Sequence, residues 1–188
     1  ALERVLRDRI PDNTMLSHDL FEGVFARSGL VSDIEVVEEF PARYDVAAAR
    51  QHRWVRGDWQ LLPWMLGRVR GRVTQGMASP LTAIGFWKMF DNLRRTLSAP
   101  AAFVALLAGW TLPLPAALVW TGFVLLTVAL PTILPVIAAL VPRHAGVTTR
   151  SHFSALASDI VNAAAQTVLL VAFLPHQAWL MLDAIGRT

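Results

Sequence analysis

The sequence predicts a mixed, mostly α fold: the carboxyl-terminal part of an α/β domain, then an interfacial amphipathic helix, then two or three transmembrane helices. Three observations predict it. Of 31 charged residues, 26 lie in residues 1–95, and only Arg143, Arg150, Asp159, Asp183 and Arg187 follow. An uncharged run of 47 residues extends from Thr96 to Pro142, whereas one span needs only about 20. Residues 1–45 carry 5 basic and 10 acidic side chains, while residues 46–95 carry 9 basic and 2 acidic ones. A basic block just before a long apolar run is the expected cytoplasmic flank of a span. Spaced arginines also suit a nucleic-acid backbone, but these lead straight into a membrane segment, so no nucleic-acid partner is expected.

The elements follow in order. Pro11-Asp12-Asn13 marks a turn. Ser17 can cap a helix running to about Ser28, with Asp19 in its first turn and Leu20, Phe21, Val24 and Phe25 as its apolar stripe. Gly29 is a natural stop. Residues 34–40 are rich in branched side chains and end at Pro41, which reads as a short strand. A second helix starts near Asp45. Helix, strand and helix form the tail of a domain, because so short a stretch cannot bury a core of its own.

Residues 1–66 therefore close a cytoplasmic domain, and residues 67–97 form a basic linker with an amphipathic helix. The linker carries Arg68, Arg70 and Arg72; the helix combines Ile84, Phe86, Trp87 and Phe90 with Lys88, Asp91, Arg94 and Arg95. Tryptophan and arginine on such a helix suit a membrane–water interface, with a soluble surface helix as the alternative. Residues 98–188 form the transmembrane region. Pro113-Leu114-Pro115 is the best break in the uncharged run, giving spans near 97–112 and 116–141, with a third apolar helix over about 155–182 that either spans or lies at the interface. Arginines on both flanks of the first two fit a hairpin with cytoplasmic ends. The chain lacks an initiator methionine and ends inside a helical-looking run, so it reads as a piece of a larger protein.

The chemistry-bearing residues cluster early. Arg50, Arg53 and Trp54 are three and four residues apart, which puts them on one helix face. Guanidinium forks hold phosphate oxygens and an indole stacks on a sugar ring, so the face suits a phosphorylated sugar. Arg56 is a further candidate for that site, open equally to a surface or lipid-headgroup role. Asp58 reads as a structural partner of a nearby arginine, and His18 and His52 as packing or hydrogen-bonding neighbours. The absence of cysteine excludes disulfides and thiolate metal sites, and the five histidines show no metal-ligand spacing.

Ser17-His18-Asp19, Arg50-x-x-Arg53-Trp54 at 34 residues' distance, and the membrane segments beyond them resemble processive, membrane-embedded family-2-type glycosyltransferases. Those enzymes carry an acidic motif and a Q-x-x-R-W motif at similar separation. L-S-H-D-L-F-E-G-V-F-A-R-S-G-L (16–30), V-E-E-F-P-A-R-Y-D-V-A-A-A-R-Q-H-R-W (37–54) and R-G-D-W-Q-L-L-P-W (56–64) are more specifically similar to the cyclic β-1,2-glucan synthases of Gram-negative bacteria. The likeness covers nearly the whole chain.

The resemblance implies that residues 1–66 end a glycosyltransferase-A-like domain on the cytoplasmic face of the bacterial inner membrane. It implies inverting transfer of glucose from UDP-glucose to the 2-hydroxyl of a β-glucan acceptor, with Asp19 as the base, Arg53 toward the pyrophosphate and Trp54 against the acceptor sugar. Arg50 stands where many relatives have glutamine, which leaves open an acceptor contact or added charge toward phosphate. Val147-Thr148-Thr149-Arg150 resembles weakly the V-T-x-K gating loop of cellulose synthases, making Thr148 and Arg150 possible gating residues; an ordinary polar loop is the alternative. The family's D-x-D motif, which holds Mg²⁺, does not occur in the sequence, so the ion is expected on the remaining domains and this piece alone is expected to be inactive. Two other readings stand beside this one: an osmoregulated periplasmic glucan glucosyltransferase, and a non-catalytic anchor whose arginines bind membrane lipids.

Overall fold

The computed structural model describes residues 19–25, 29, 31–66, 81–141 and 148–188. Ser17, His18, the arginines at 68, 70, 72 and 143, and Val147 lie outside the described residues. The described chain is 81% helical. It divides into two compact units, Ala1–Ser98 with Leu180–Thr188, and Ala99–Trp179.

The first unit contains α1 (Asp19–Phe25), α2 (Tyr44–Gln60), α3 (Leu62–Met65) and α4 (Ala83–Thr96). The strand expected at 34–40 is not formed, and no strand occurs among the described residues. A strand is completed by a neighbour's hydrogen-bond ladder. Residues 34–40 have none here, and Val36, Val37 and Phe40 stand 85%, 96% and 83% exposed. The α/β character expected of this region is therefore not expressed among the described residues.

Helix α4 is the shared support of the unit, packing against both α1 and α2. Thr82 caps it, its hydroxyl accepting the Gly85 N–H at 3.1 Å. Gly85, Met89, Leu93 and Thr96 form its buried stripe, at spacings of three and four. A Cβ at Gly85 would stand 2.7 Å from Val24 Cγ1, so only glycine lets α1 come this close. Met89 and Leu61 make a small core with Leu20, Val24, Trp64, Met65 and Leu81 around it. The apolar residues singled out in the sequence, Ile84, Phe86, Trp87 and Phe90, are instead the outward ones. Trp87 and Phe90 stack on one another there, ring centroids 5.9 Å apart.

The second unit holds α5 (Ser98–Gly109), α6 (Leu114–Ala139) and most of α7 (Thr149–Gly186). The break expected at Pro113-Leu114-Pro115 separates α5 from α6. Helix α5 has 12 residues, or about 18 Å, short of the roughly 30 Å of a bilayer core. Helices α6 and α7 have 26 and 38 residues, mean hydropathies of 2.2 and 1.6, and little burial. They are long and apolar enough to cross a membrane. A core helix of a soluble protein would be mostly covered; these expose their apolar sides. The third apolar stretch, expected as a helix over about 155–182, lies within one longer helix that continues through Pro175.

The units are stapled internally by polar contacts. Trp120 Nε1 donates to Ala105 O at 2.7 Å, and its ring lies over Gly109, bringing α5 and α6 together. Thr132 and Thr167 hydroxyls meet at 2.8 Å between α6 and α7. Pro131 and Pro135 interrupt the backbone bonding of α6 next to that contact.

Candidate functional site

Helix α2 has two chemically distinct sides. Ala48, His52, Val55 and Trp59 lie on one, where Val55 joins Met181 and Ala184 in a core flanked by Trp59 and Ile185. Arg50, Arg53 and Trp54 lie on the other, as the spacing required. Burial of the first side fixes the azimuth of the helix and so turns the second outward.

On the outward side, the Arg50 guanidinium carbon lies 4.4 Å from the Trp54 ring centroid. Arg50 Nη2 also donates to Glu38 Oε1 at 3.3 Å. Trp54 remains 41% exposed. Arg53 is exposed and makes no hydrogen bond or ion pair among the described residues, so its guanidinium is available to a ligand.

Asp19 is the first residue of α1 and is exposed, with Glu22 in the same turn. Among the described residues its side chain makes no hydrogen bond or ion pair with Arg50, Arg53 or Trp54; α4, on which both α1 and α2 pack, links the two helices.

Arg56 is placed differently. It lies on the packed side of α2 and donates through Nη2 to Arg187 O at 3.3 Å, while its Nε is buried with no hydrogen-bond partner among the described residues. Beside it, His52 Nε2 and Asp183 Oδ2 are 3.0 Å apart, and Arg187 closes on Asp183 at 2.7 Å. The structure thus brings Arg50, Arg53 and Trp54 together and directs Arg56 elsewhere.

Asp58 accepts a hydrogen bond from Asn92 Nδ2 at 3.1 Å. Burial raises its pKa, opposed by that bond and by the charge of Arg95. Asn92 Oδ1 in turn receives Arg95, so the amide relays the carboxylate to the arginine that the sequence reading sought as its partner. Trp59 Nε1 donates to Thr96 Oγ1 at 2.9 Å, a second bond from α2 to α4.

Thr148 and Arg150, the possible gating residues, stand at the start of α7. The Thr148 hydroxyl accepts the Ser151 N–H at 3.3 Å and Arg150 lies in the first helical turn. Thr148 thus caps the helix and Arg150 is a helical residue.

No protein-family model matches the chain. Over 189 aligned residues and 100% of its own length, it is 43% identical to cyclic β-(1,2)-glucan synthase NdvB of Rhizobium meliloti (strain 1021). The chain is similar, end to end, to one segment of a cyclic β-(1,2)-glucan synthase. That segment amounts to 6% of the relative's length. The aligned region spans both α2 and the two long apolar helices.

Sequence reasoning did not find Glu38 or Asp183 as partners. The acidic run Glu35, Glu38, Glu39 was a signal of sorts for the first. Asp183 is 131 residues from His52, and no local pattern joins them.

Proposed function

We propose that this chain is the acceptor-side portion of an inverting glucosyltransferase that moves glucose from UDP-glucose to the 2-hydroxyl of a growing β-1,2-glucan. The observation that carries this reading is the outward face of α2: an Arg53 unpaired among the described residues beside an exposed Trp54, in a sequence similar throughout to a glucan synthase.

In the proposed step, the acceptor's 2-hydroxyl oxygen attacks the anomeric carbon of the donor glucose. The bond from that carbon to the diphosphate breaks, and UDP departs with its electrons. One carboxylate must take the hydroxyl proton, because a single displacement has no other base. Asp19 is assigned that role. Arg53 faces the pyrophosphate, where a fork of N–H donors stabilises charge as it develops. Trp54 gives the acceptor sugar a flat apolar surface.

Mg²⁺, when bound, would neutralise the departing diphosphate. Among the described residues no group of three or more His, Asp or Glu side chains could hold it. The described residues do not fit that ion, which we assign to the remaining domains of the polypeptide.

The same reading sets α6 and α7 across the bacterial inner membrane with α2 on the cytoplasmic side. Helix α4 lies along the interface, its outward Phe86, Trp87 and Phe90 in the headgroup region.

The test is Asp19→Asn in the full-length protein, assayed for glucan made from UDP-glucose. Loss of synthesis by a factor of at least about a hundred is expected for a missing general base. Near-normal synthesis would remove Asp19 from the reaction and leave the membrane-anchor reading. Product linkage analysis separates this enzyme from other glucan glucosyltransferases, since products lacking 1,2-linkages would overturn the assignment.

A further inference from the structure

A pyranose stacks on an indole through its C–H face, so the ring must be held in one plane with one side open. Trp54 stands on the outward side of α2, 41% exposed. One side of its ring is nonetheless occupied by the Arg50 guanidinium, 4.4 Å from the centroid. Arg50 is itself tied to Glu38 at 3.3 Å. The i,i+4 spacing allows the arginine stem to run along the helix and lay its planar head on the ring.

The two arginines of this face are therefore unlike. Arg53 is unpaired among the described residues, whereas the charge of Arg50 is shared between a carboxylate and a π-face. With Glu38 beside it, this guanidinium is a weaker ligand for phosphate than Arg53, because the carboxylate repels a second anion. It is a good clamp, since it fixes the ring plane of an indole that stays 41% exposed. Glutamine, with no positive charge, could not make the stack.

We infer that Arg50 is a positioning residue that fixes Trp54 for the acceptor sugar, with Glu38 as its tether, and that Arg53 alone of the pair serves the donor's phosphates. This rests on the reading of Trp54 as the sugar platform.

The test uses the full-length protein and measures Kd for two probes, UDP and a short β-1,2-linked gluco-oligosaccharide. Arg50→Gln is expected to weaken the oligosaccharide roughly two- to thirtyfold, the span of a cation–π contact, and to leave UDP unchanged. Arg50→Lys keeps the cation and is expected to recover part of the loss. Glu38→Gln is expected to act in the same direction as Arg50→Gln but more weakly. In a Trp54→Ala background, Arg50→Gln is expected to cost nothing further. Weaker UDP binding with oligosaccharide binding intact would overturn the inference, as would additive losses in the Trp54→Ala background. If Trp54→Ala by itself leaves oligosaccharide binding unchanged, the platform reading fails, and that failure is distinct from the other two.

Discussion

His52 Nε2 lies 3.0 Å from Asp183 Oδ2, joining α2 to the end of α7 across 131 residues of sequence. The carboxylate accepts, so Nε2 carries the proton. Both side chains are mostly covered, at 22% and 25% exposure. A bond to a charged acceptor is stronger than one between neutral groups. Thermal unfolding of the full-length protein in detergent should show His52→Ala melting below the parent. His52→Gln, which retains a donor, should lose less. Equal melting of parent and His52→Ala would show that the contact contributes nothing.

Two carboxylates of this unit should respond to pH in opposite senses. Burial raises the Asp58 pKa, so the folded chain takes up this proton at higher pH than the unfolded chain does. Asp58 therefore destabilises the fold at neutral pH, and the penalty fades as pH falls through the raised folded pKa. Asp91 is the reverse: its hydrogen bond from Arg94 lowers its pKa. The stability it contributes is present above the unfolded pKa and lost as pH falls through the depressed folded one. Asp58→Asn should raise stability at pH 7, with the advantage shrinking toward acid. A stability–pH profile parallel to the parent's would contradict this.

Gly109 and Trp120 hold α5 against α6. A Cβ at Gly109 would run into the indole, and the ring cannot turn away without losing its bond to Ala105 O. Gly109→Ala should destabilise by about 1–3 kcal/mol, the usual cost of overpacking. Adding Trp120→Ala removes the clash, so the pair should fall short of the sum of the single losses in a double-mutant cycle. Strict additivity would mean that the two residues do not meet.

The Thr132–Thr167 contact obeys a proton count. Thr132 Oγ1 also reaches Ala129 O at 2.7 Å, and Thr167 Oγ1 reaches Ala163 O at 2.8 Å. Two hydroxyl protons cannot fill three bonds, so one threonine donates across while the other donates to its own helix. Valine at either position should cost about 0.6 kcal/mol, typical of a hydrogen bond between membrane helices. Valine at both should add little more for the cross-helix bond. Unfolding in detergent or bicelles measures it.

Much of this was legible beforehand for local reasons. The Pro-Leu-Pro break between α5 and α6 follows from missing N–H groups, and the face shared by Arg50, Arg53 and Trp54 follows from helical spacing alone. Residues 34–40 misled because branched residues favour a strand only when another strand pairs with them.

Sequence alone determined the division into a charged half and an apolar half, the helical period of α2, and the likeness of its motifs to a glucan synthase. Those are properties of neighbours along the chain. The tertiary structure decided which arginines are free. Arg50 is held by Glu38 and Trp54, Arg56 by the backbone of Arg187, and Arg53 by no described residue. Their identical side chains differ only in what the fold sets around them. That difference comes from packing one side of α2 against the end of α7, between residues too distant in sequence for any local pattern to pair.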